Sequence, residues 1–276
     1  MKKSARWTGD ALMFGTAMLM GSSYPFAKDV LAVMSPLLYS ASRYLIASGF
    51  LFVMMMLMRR PLSLPRRDWL AMLGLSLIGV ALFQACWGLA MSKTAPSLGS
   101  IVMTTTTAFS AILARLAGRR LPALGWAGIA VAFAGVVLVV NNSLTGITIA
   151  AAGLDGTLLW MLAALAWAIY VERGAPYNAR LGALRVMAWT TLIGSLVLLP
   201  LSLVFDSVAE FARLDGRLWS YYLYTAIFPV GVAFLGLTAG LERLGVARVM
   251  LYMYLIPVAG VILTRVALDR SRRVPV

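Results

Sequence analysis

The stretch WLAMLGLSLIGVALFQACWGLAMSKTAP (residues 69–96) decides the fold, because it recurs 150 residues later as WSYYLYTAIFPVGVAFLGLTAGLERLGV (residues 219–246). Extended without a gap over 69–120 and 219–270, the overlay pairs Trp69, Leu73, Val80, Met103, Ile112, Leu113, Arg115, Ala117 and Arg120 with Trp219, Leu223, Val230, Met253, Ile262, Leu263, Arg265, Ala267 and Arg270. Nine identities in 52 positions are few for an apolar alphabet. The boundaries add the weight: both copies run apolar segment, charged hinge, apolar segment in step. Internal repeats of this kind decide architecture.

Working outward, 61% apolar residues and 12% charged ones point to a polytopic membrane protein. Nine stretches reach or approach the ~20 apolar residues that cross a bilayer, near 9–27, 36–58, 68–90, 97–116, 122–140, 154–171, 183–205, 217–239 and 246–267. They are apolar all round, which favours helices over the alternating strands of a barrel. The connections are short and hold no soluble domain.

The net charge of +14 does not indicate nucleic acid. Lys and Arg cluster in the hinges, as the positive-inside rule describes. With a cytoplasmic N-terminus, fifteen basic residues fall inside and eight outside, half of the eight at or beyond the last span. Lys2, Lys3 and Arg6 before an apolar run resemble a secretory leader, but Asp10 interrupts that run and no small-x-small cleavage site follows. A retained first helix is expected. The single Cys86, inside an apolar span, is expected to pack.

Five spans per copy make the count odd, so the second copy lies upside down relative to the first. The expected fold is an all-α polytopic membrane protein, an inverted repeat of five-helix bundles as used for alternating access. Residues 1–140 form the first repeat, 141–153 an uncharged linker and 154–276 the second repeat. At the same offset, the fifth span predicts a tenth helix at about 272–290, whereas the sequence given ends at Val276. The expectation is nine transmembrane helices, with the tenth missing or truncated.

The residues also carry a family pattern. Met20-Gly-Ser-Ser-Tyr-Pro-Phe-Ala-Lys28 and Ser35-Pro-Leu-Leu-Tyr-Ser-Ala-Ser-Arg43-Tyr-Leu resemble the opening of EamA-type members of the drug/metabolite transporter superfamily. Residues 93–100, 111–121 and 125–138 look like the end of that domain, and 245–257 like the matching helix of the second copy. The resemblance implies ten helices, cytoplasmic termini and export of small metabolites, amino acids or drugs. One departure is Gly118-Arg119, where the family commonly has Gly-Glu.

A carrier of this design binds its substrate near the midplane, and ten residues are candidate substrate contacts. Ser22, Ser23 and Tyr24 precede Pro25, which either kinks the first helix beside a cavity or marks its end near residue 28. Arg43 is the most embedded charge; it attracts an anionic group, pairs with a neighbouring helix, or snorkels about two turns to the outer interface. Gln84 and Trp87 share one face of the third span, and Trp167 and Tyr170 repeat that spacing in the sixth. Thr105 belongs to a run of four threonines, 104–107, whose hydroxyls bond their own helix or line the cavity. Tyr252 lies in the ninth span before Pro257. Trp69, Trp126, Trp219, Tyr221 and Tyr222 are placed in interfacial belts. Gly236 and Gly240 form a small-xxx-small pair for close helix approach.

With no His and no carboxylate deep in the first helix, proton antiport is unsupported; facilitated diffusion or exchange fits better. The lack of His also removes most intramembrane enzyme chemistries, and no cofactor or metal site is expected. The expected function is export of small organic metabolites, amino acid-like or drug-like, across the inner membrane. Small-molecule substrate and lipid bilayer are the expected partners, with a homodimer possible and nucleic acid not. The second reading is a non-transporting remnant or assembly partner of the same family.

Overall fold

The computed structural model describes residues 3–118, 126–128, 130, 131, 134, 154–244, 249, 252, 255, 256, 258–260 and 262. Among them all regular structure is helical. In chain order the helices are α1 (Lys3–Val30), α2 (Pro36–Leu57), α3 (Trp69–Ser76), α4 (Phe83–Lys93), α5 (Pro96–Val102), α6 (Thr105–Leu116), α7 (Leu154–Leu181), α8 (Ala183–Phe205), α9 (Gly216–Ala226) and α10 (Ala233–Leu244).

Six described segments are long and apolar enough to cross a membrane: Pro36–Leu57, Arg66–Lys93, Leu98–Leu116, Leu154–Leu181, Ala183–Phe205 and Gly216–Leu237. Among the described residues these account for six of the nine expected spans. Helix α1 has the length, at 28 residues, but its apolar centre is diluted by Gly21, Ser22, Ser23, Tyr24 and Pro25 and is bounded by Asp10 and Lys28. The expected spans at 122–140 and 246–267 fall largely outside the described residues, as do the linker 141–153 and the tail beyond residue 262. Leu70, Val53, Leu158, Leu196 and Phe205 point outward from these helices, as lipid-facing residues do.

Helix α1 runs through Pro25 without ending. The helix ends at Val30, close to the end near residue 28 that is one of the two readings, and holds the proline in its interior. The fourth span is discontinuous, with a turn at Met103 and Thr104 between α5 and α6. Three of its threonines explain the break. The hydroxyls of Thr104, Thr105 and Thr107 donate to the carbonyls of Ile101, Val102 and Thr104, three residues back, at 2.7, 2.7 and 2.8 Å. Such bonds compete with the helical ladder and bend it.

The described spans Arg66–Lys93 and Gly216–Leu237 share an unexpected feature. Helix α3 joins α4 through a π-helical turn, Leu77–Leu82, and α9 joins α10 through another, Ile227–Val232. Both boundaries are 150 residues apart, the offset of the sequence repeat. Each turn widens the helix and presents a glycine to a ring from the other half of the chain. A Cβ at Gly79 would fall on Tyr170 of α7, and one at Gly231 on Phe50 of α2.

The two halves are interleaved. Helix α2 packs along α8, α4 and α6 along α7, and α1 along α9 and α10. The expected role of Gly236 and Gly240 is met on α1: their absent side chains leave room for the Thr16 hydroxyl and the Met13 sulfur. Polar contacts gather at the two ends of the bundle. At one end Arg180 forks onto both oxygens of Asp68. At the other, Lys28 donates to the carbonyls of Met91, Ser92 and Thr94 at 2.8, 3.0 and 3.0 Å, where the α4 carbonyls run out of helical partners. There too Arg217 meets Asp29 at 3.1 Å, and Lys93 pairs with Asp155.

Filling the α1–α10 seam should therefore be costly. Gly236→Leu is expected to lower stability by about 1–3 kcal/mol through overpacking, read as a lower melting temperature in detergent. Gly15→Ala, on α1 with nothing within 4 Å of the added Cβ, should leave it unchanged or raise it. Equal melting of the two variants would contradict this packing.

Candidate substrate site

Arg43 sits on α2 seven residues after Pro36, hence about 10 Å along the helix from that end. It is 3% exposed. Its guanidinium does not snorkel to water but turns inward and pairs with a neighbouring helix. Nη2 donates to Gln84 Oε1 at 2.9 Å and Nη1 reaches the Tyr39 hydroxyl at 3.4 Å. The rings of Tyr39, Trp87 and Tyr44 surround it at 4.9, 4.9 and 5.2 Å from the guanidinium carbon. Nε is buried without a hydrogen-bond partner. Among the described residues no carboxylate pairs with it.

Local sequence explains how the partners reach it. Gly88 lets α4 approach α2 so closely that a Cβ there would meet Ser40 and Pro36. At the same contact Ser40 Oγ donates to the Gln84 carbonyl at 3.2 Å. Gln84, 1% exposed, is thereby held with its side chain on Arg43. The Tyr39 hydroxyl continues the chain, donating to Thr225 Oγ1 of α9 at 3.0 Å, and Thr225 donates to the Tyr222 carbonyl at 2.9 Å. The site thus spans both halves.

Magnitudes decide how the charge survives. A guanidinium at membrane depth costs about 3 kcal/mol or more. A hydrogen bond to a charged group returns ~1.5–3 kcal/mol and each desolvated cation–π contact ~0.5–2 kcal/mol. Gln84 and three rings roughly offset the burial. They hold the charge without cancelling it.

Two aromatic groups extend the cage. Tyr24, Trp87 and Trp160 form a triangle with centroids 5.8–6.1 Å apart. Trp160 is fixed there by donating Nε1–H to Thr94 Oγ1 at 2.8 Å, and Gly99 makes room for its ring. Trp167 stacks on Tyr170 at 5.1 Å and touches Phe83 at 5.0 Å and Phe234 at 6.2 Å.

Of the ten candidate residues, Tyr24, Arg43, Gln84 and Trp87 come together in one cluster. Trp167 and Tyr170 adjoin it through Phe83, the neighbour of Gln84. Ser22 donates to the Leu19 carbonyl and lies 2.7 Å from the Tyr224 hydroxyl, while Ser23 donates to the Met20 carbonyl. Thr105 is fully buried, its hydroxyl spent on its own helix. Tyr252 is half-buried. The sequence reading missed Tyr39, Tyr44, Trp160 and Thr225. Only Tyr39 left a signal, its spacing of four from Arg43. Tyr222 needs correction: it is 1% exposed and packs on Tyr39 at 6.1 Å, so it belongs to the interior and not to an interfacial belt. Its hydroxyl is buried without a partner. Trp219 stacks on Phe211 nearer the surface.

The EamA-like transporter family profile matches residues 7–141 and again 154–272, almost the whole chain in two segments. The chain belongs to the EamA-like transporter family. It is similar to the "Uncharacterized transporter YyaM" of Bacillus subtilis, 24% identical over 92% of this chain and 84% of the relative. An "Uncharacterized transporter" of Archaeoglobus fulgidus is 26% identical over 93% and 88%. The "Uncharacterized inner membrane transporter YedA" of Escherichia coli K12 is 25% identical over 91% and 80%. A solved crystal structure superposes with a TM-score of 0.68 at 22% identity, covering 97% of this chain and 89% of that one, a likeness of fold. With these relatives the protein is a multi-pass membrane transporter, not an enzyme.

The Thr94–Trp160 bond offers a direct check of the cage. Trp160→Phe keeps most of the ring and loses the bond, at an expected cost of about 1 kcal/mol. Thr94→Val removes the same bond from the other side. The double variant should cost clearly less than the two singles together; additive melting shifts would contradict the contact.

Proposed function

We propose that the protein exports small organic metabolites, amino acid-like or drug-like, across the inner membrane by alternating access. The observation that carries this reading is the buried cluster of Arg43, Gln84, Tyr39 and Thr225, a polar group at membrane depth built from both halves. Intramembrane ionisable groups mark substrate paths. A carrier needs its binding groups where two bundles meet, because rocking of one against the other then exposes them to either side in turn.

The inverted arrangement of the halves is part of this proposal. It is supported by the odd span count expected for each copy and by the paired π-turns at the repeat offset. Those turns are the natural flexing points, since a π-turn disrupts the regular helical ladder. The cytoplasmic N-terminus rests on the excess of basic residues in the hinges that then lie inside. In this arrangement Tyr24, Trp87, Trp167 and Tyr170 supply the apolar walls and Arg43 with Gln84 the polar contact. Ser22, Ser23, Thr105 and Tyr252 complete the proposed set from the helices that flank it.

The test is flux. Purified protein in liposomes loaded with radiolabelled amino acids and monocarboxylates should release at least one of them faster than protein-free vesicles. Release should be faster still with the same unlabelled compound outside. No protein-dependent flux across the panel would overturn the reading.

A further inference from the structure

We propose that Arg43 receives the carboxylate of a monoanionic substrate with a flat apolar body. This deepens the transport reading and rests on it.

Two buried groups in the cluster lack partners: Arg43 Nε and the Tyr222 hydroxyl. Both flank Tyr39, whose ring lies 4.9 Å from the Arg43 guanidinium carbon and 6.1 Å from the Tyr222 ring. Polar groups buried this deeply are almost always satisfied. Elsewhere in these spans the hydroxyls of Thr16, Ser48, Ser76, Thr190, Ser195 and Ser202 all donate to carbonyls of their own helix. Single buried side-chain atoms without a partner also occur on other helices, at Thr106 Oγ1, Arg185 Nε and Thr191 Oγ1, but Arg43 Nε and the Tyr222 hydroxyl flank one ring beside the buried charge.

The chemistry of those groups selects the ligand. A guanidinium binds a carboxylate two N–H donors at a time, and Nε is available for one of them. Gln84 contributes an amide oxygen to the cation and no charge, so the positive charge stays uncompensated until an anion arrives. One fixed cation matches one carboxylate. The remaining walls are π-faces, with the Tyr24–Trp87–Trp160 triangle next to the guanidinium through Trp87. A planar or aromatic body fits there better than a hydrated polyol.

The probes are benzoate and phenylacetate, with benzamide as the uncharged match, added to purified full-length protein in detergent. The readout is intrinsic tryptophan fluorescence, to which Trp87 at the guanidinium contributes. Expected are saturable changes with both acids, binding of benzamide weaker by about tenfold or more, and no displacement by equal inorganic phosphate. Arg43→Gln should weaken benzoate by about tenfold or more. Gln84→Glu places a carboxylate where the amide oxygen now sits 2.9 Å from Arg43. It should abolish binding while the protein still melts cooperatively, which keeps the test decisive if Arg43→Gln fails to fold. Equal binding of benzoate and benzamide, displacement by phosphate, no response to either acid, or unchanged benzoate binding in Gln84→Glu would each overturn the proposal. Metabolite flux that survives Arg43→Gln leaves the transport reading standing and sinks this one. Arg43-dependent binding without flux does the reverse.

Discussion

In hydrocarbon there is no water to satisfy a polar group, so every donor and acceptor in a span must find its partner inside the protein. The described structure obeys this constraint almost everywhere. Backbone groups close into helices, and most Ser and Thr hydroxyls fold back onto carbonyls three or four residues upstream. Where helical carbonyls run out at the end of α4, Lys28 supplies donors. Against that background Arg43 is an exception in kind: a permanent charge, buried, caged by rings and one amide, and lacking a counter-ion among the described residues.

The same constraint shapes the packing. Between helices surrounded by lipid, close approach does the work that water exclusion does elsewhere. Gly236 and Gly240 admit α1, Gly88 admits α2, and Gly79 and Gly231 each take a ring at a π-turn. Four of these five contacts run between the halves of the chain. The cluster around Arg43 follows from them: Gly88 and Ser40 draw α2 and α4 together, and the Tyr39–Thr225 bond ties α2 to α9.

Much of this was legible in the sequence, for physical reasons. Apolar runs of about 20 residues have few alternatives to a membrane helix, and helical spacing put Gln84 beside Trp87 and Gly236 beside Gly240. The charge of Arg43 drew attention because it is expensive where it stands. The π-turns were not legible: LIGVAL and IFPVGV read as ordinary apolar helix, and the rings of Tyr170 and Phe50 that meet them come from the other half of the chain. Tyr222 was misplaced for a similar reason. Its position near a span end suggests an interfacial belt, and only the packing of α9 on α2 brings it inside.

The central claim is that Arg43 is retained for a ligand and not for the fold. Replacing a buried charge and its hydrogen-bond partner by apolar groups of similar size is often neutral or stabilising, whereas a structural tie is costly to remove. The most direct measurement is the melting temperature of the double variant Arg43→Met, Gln84→Leu in detergent, beside the unmodified protein. The account predicts a melting temperature equal to or above that of the parent. A fall of about 10 °C or more would make Arg43 a structural anchor and contradict it.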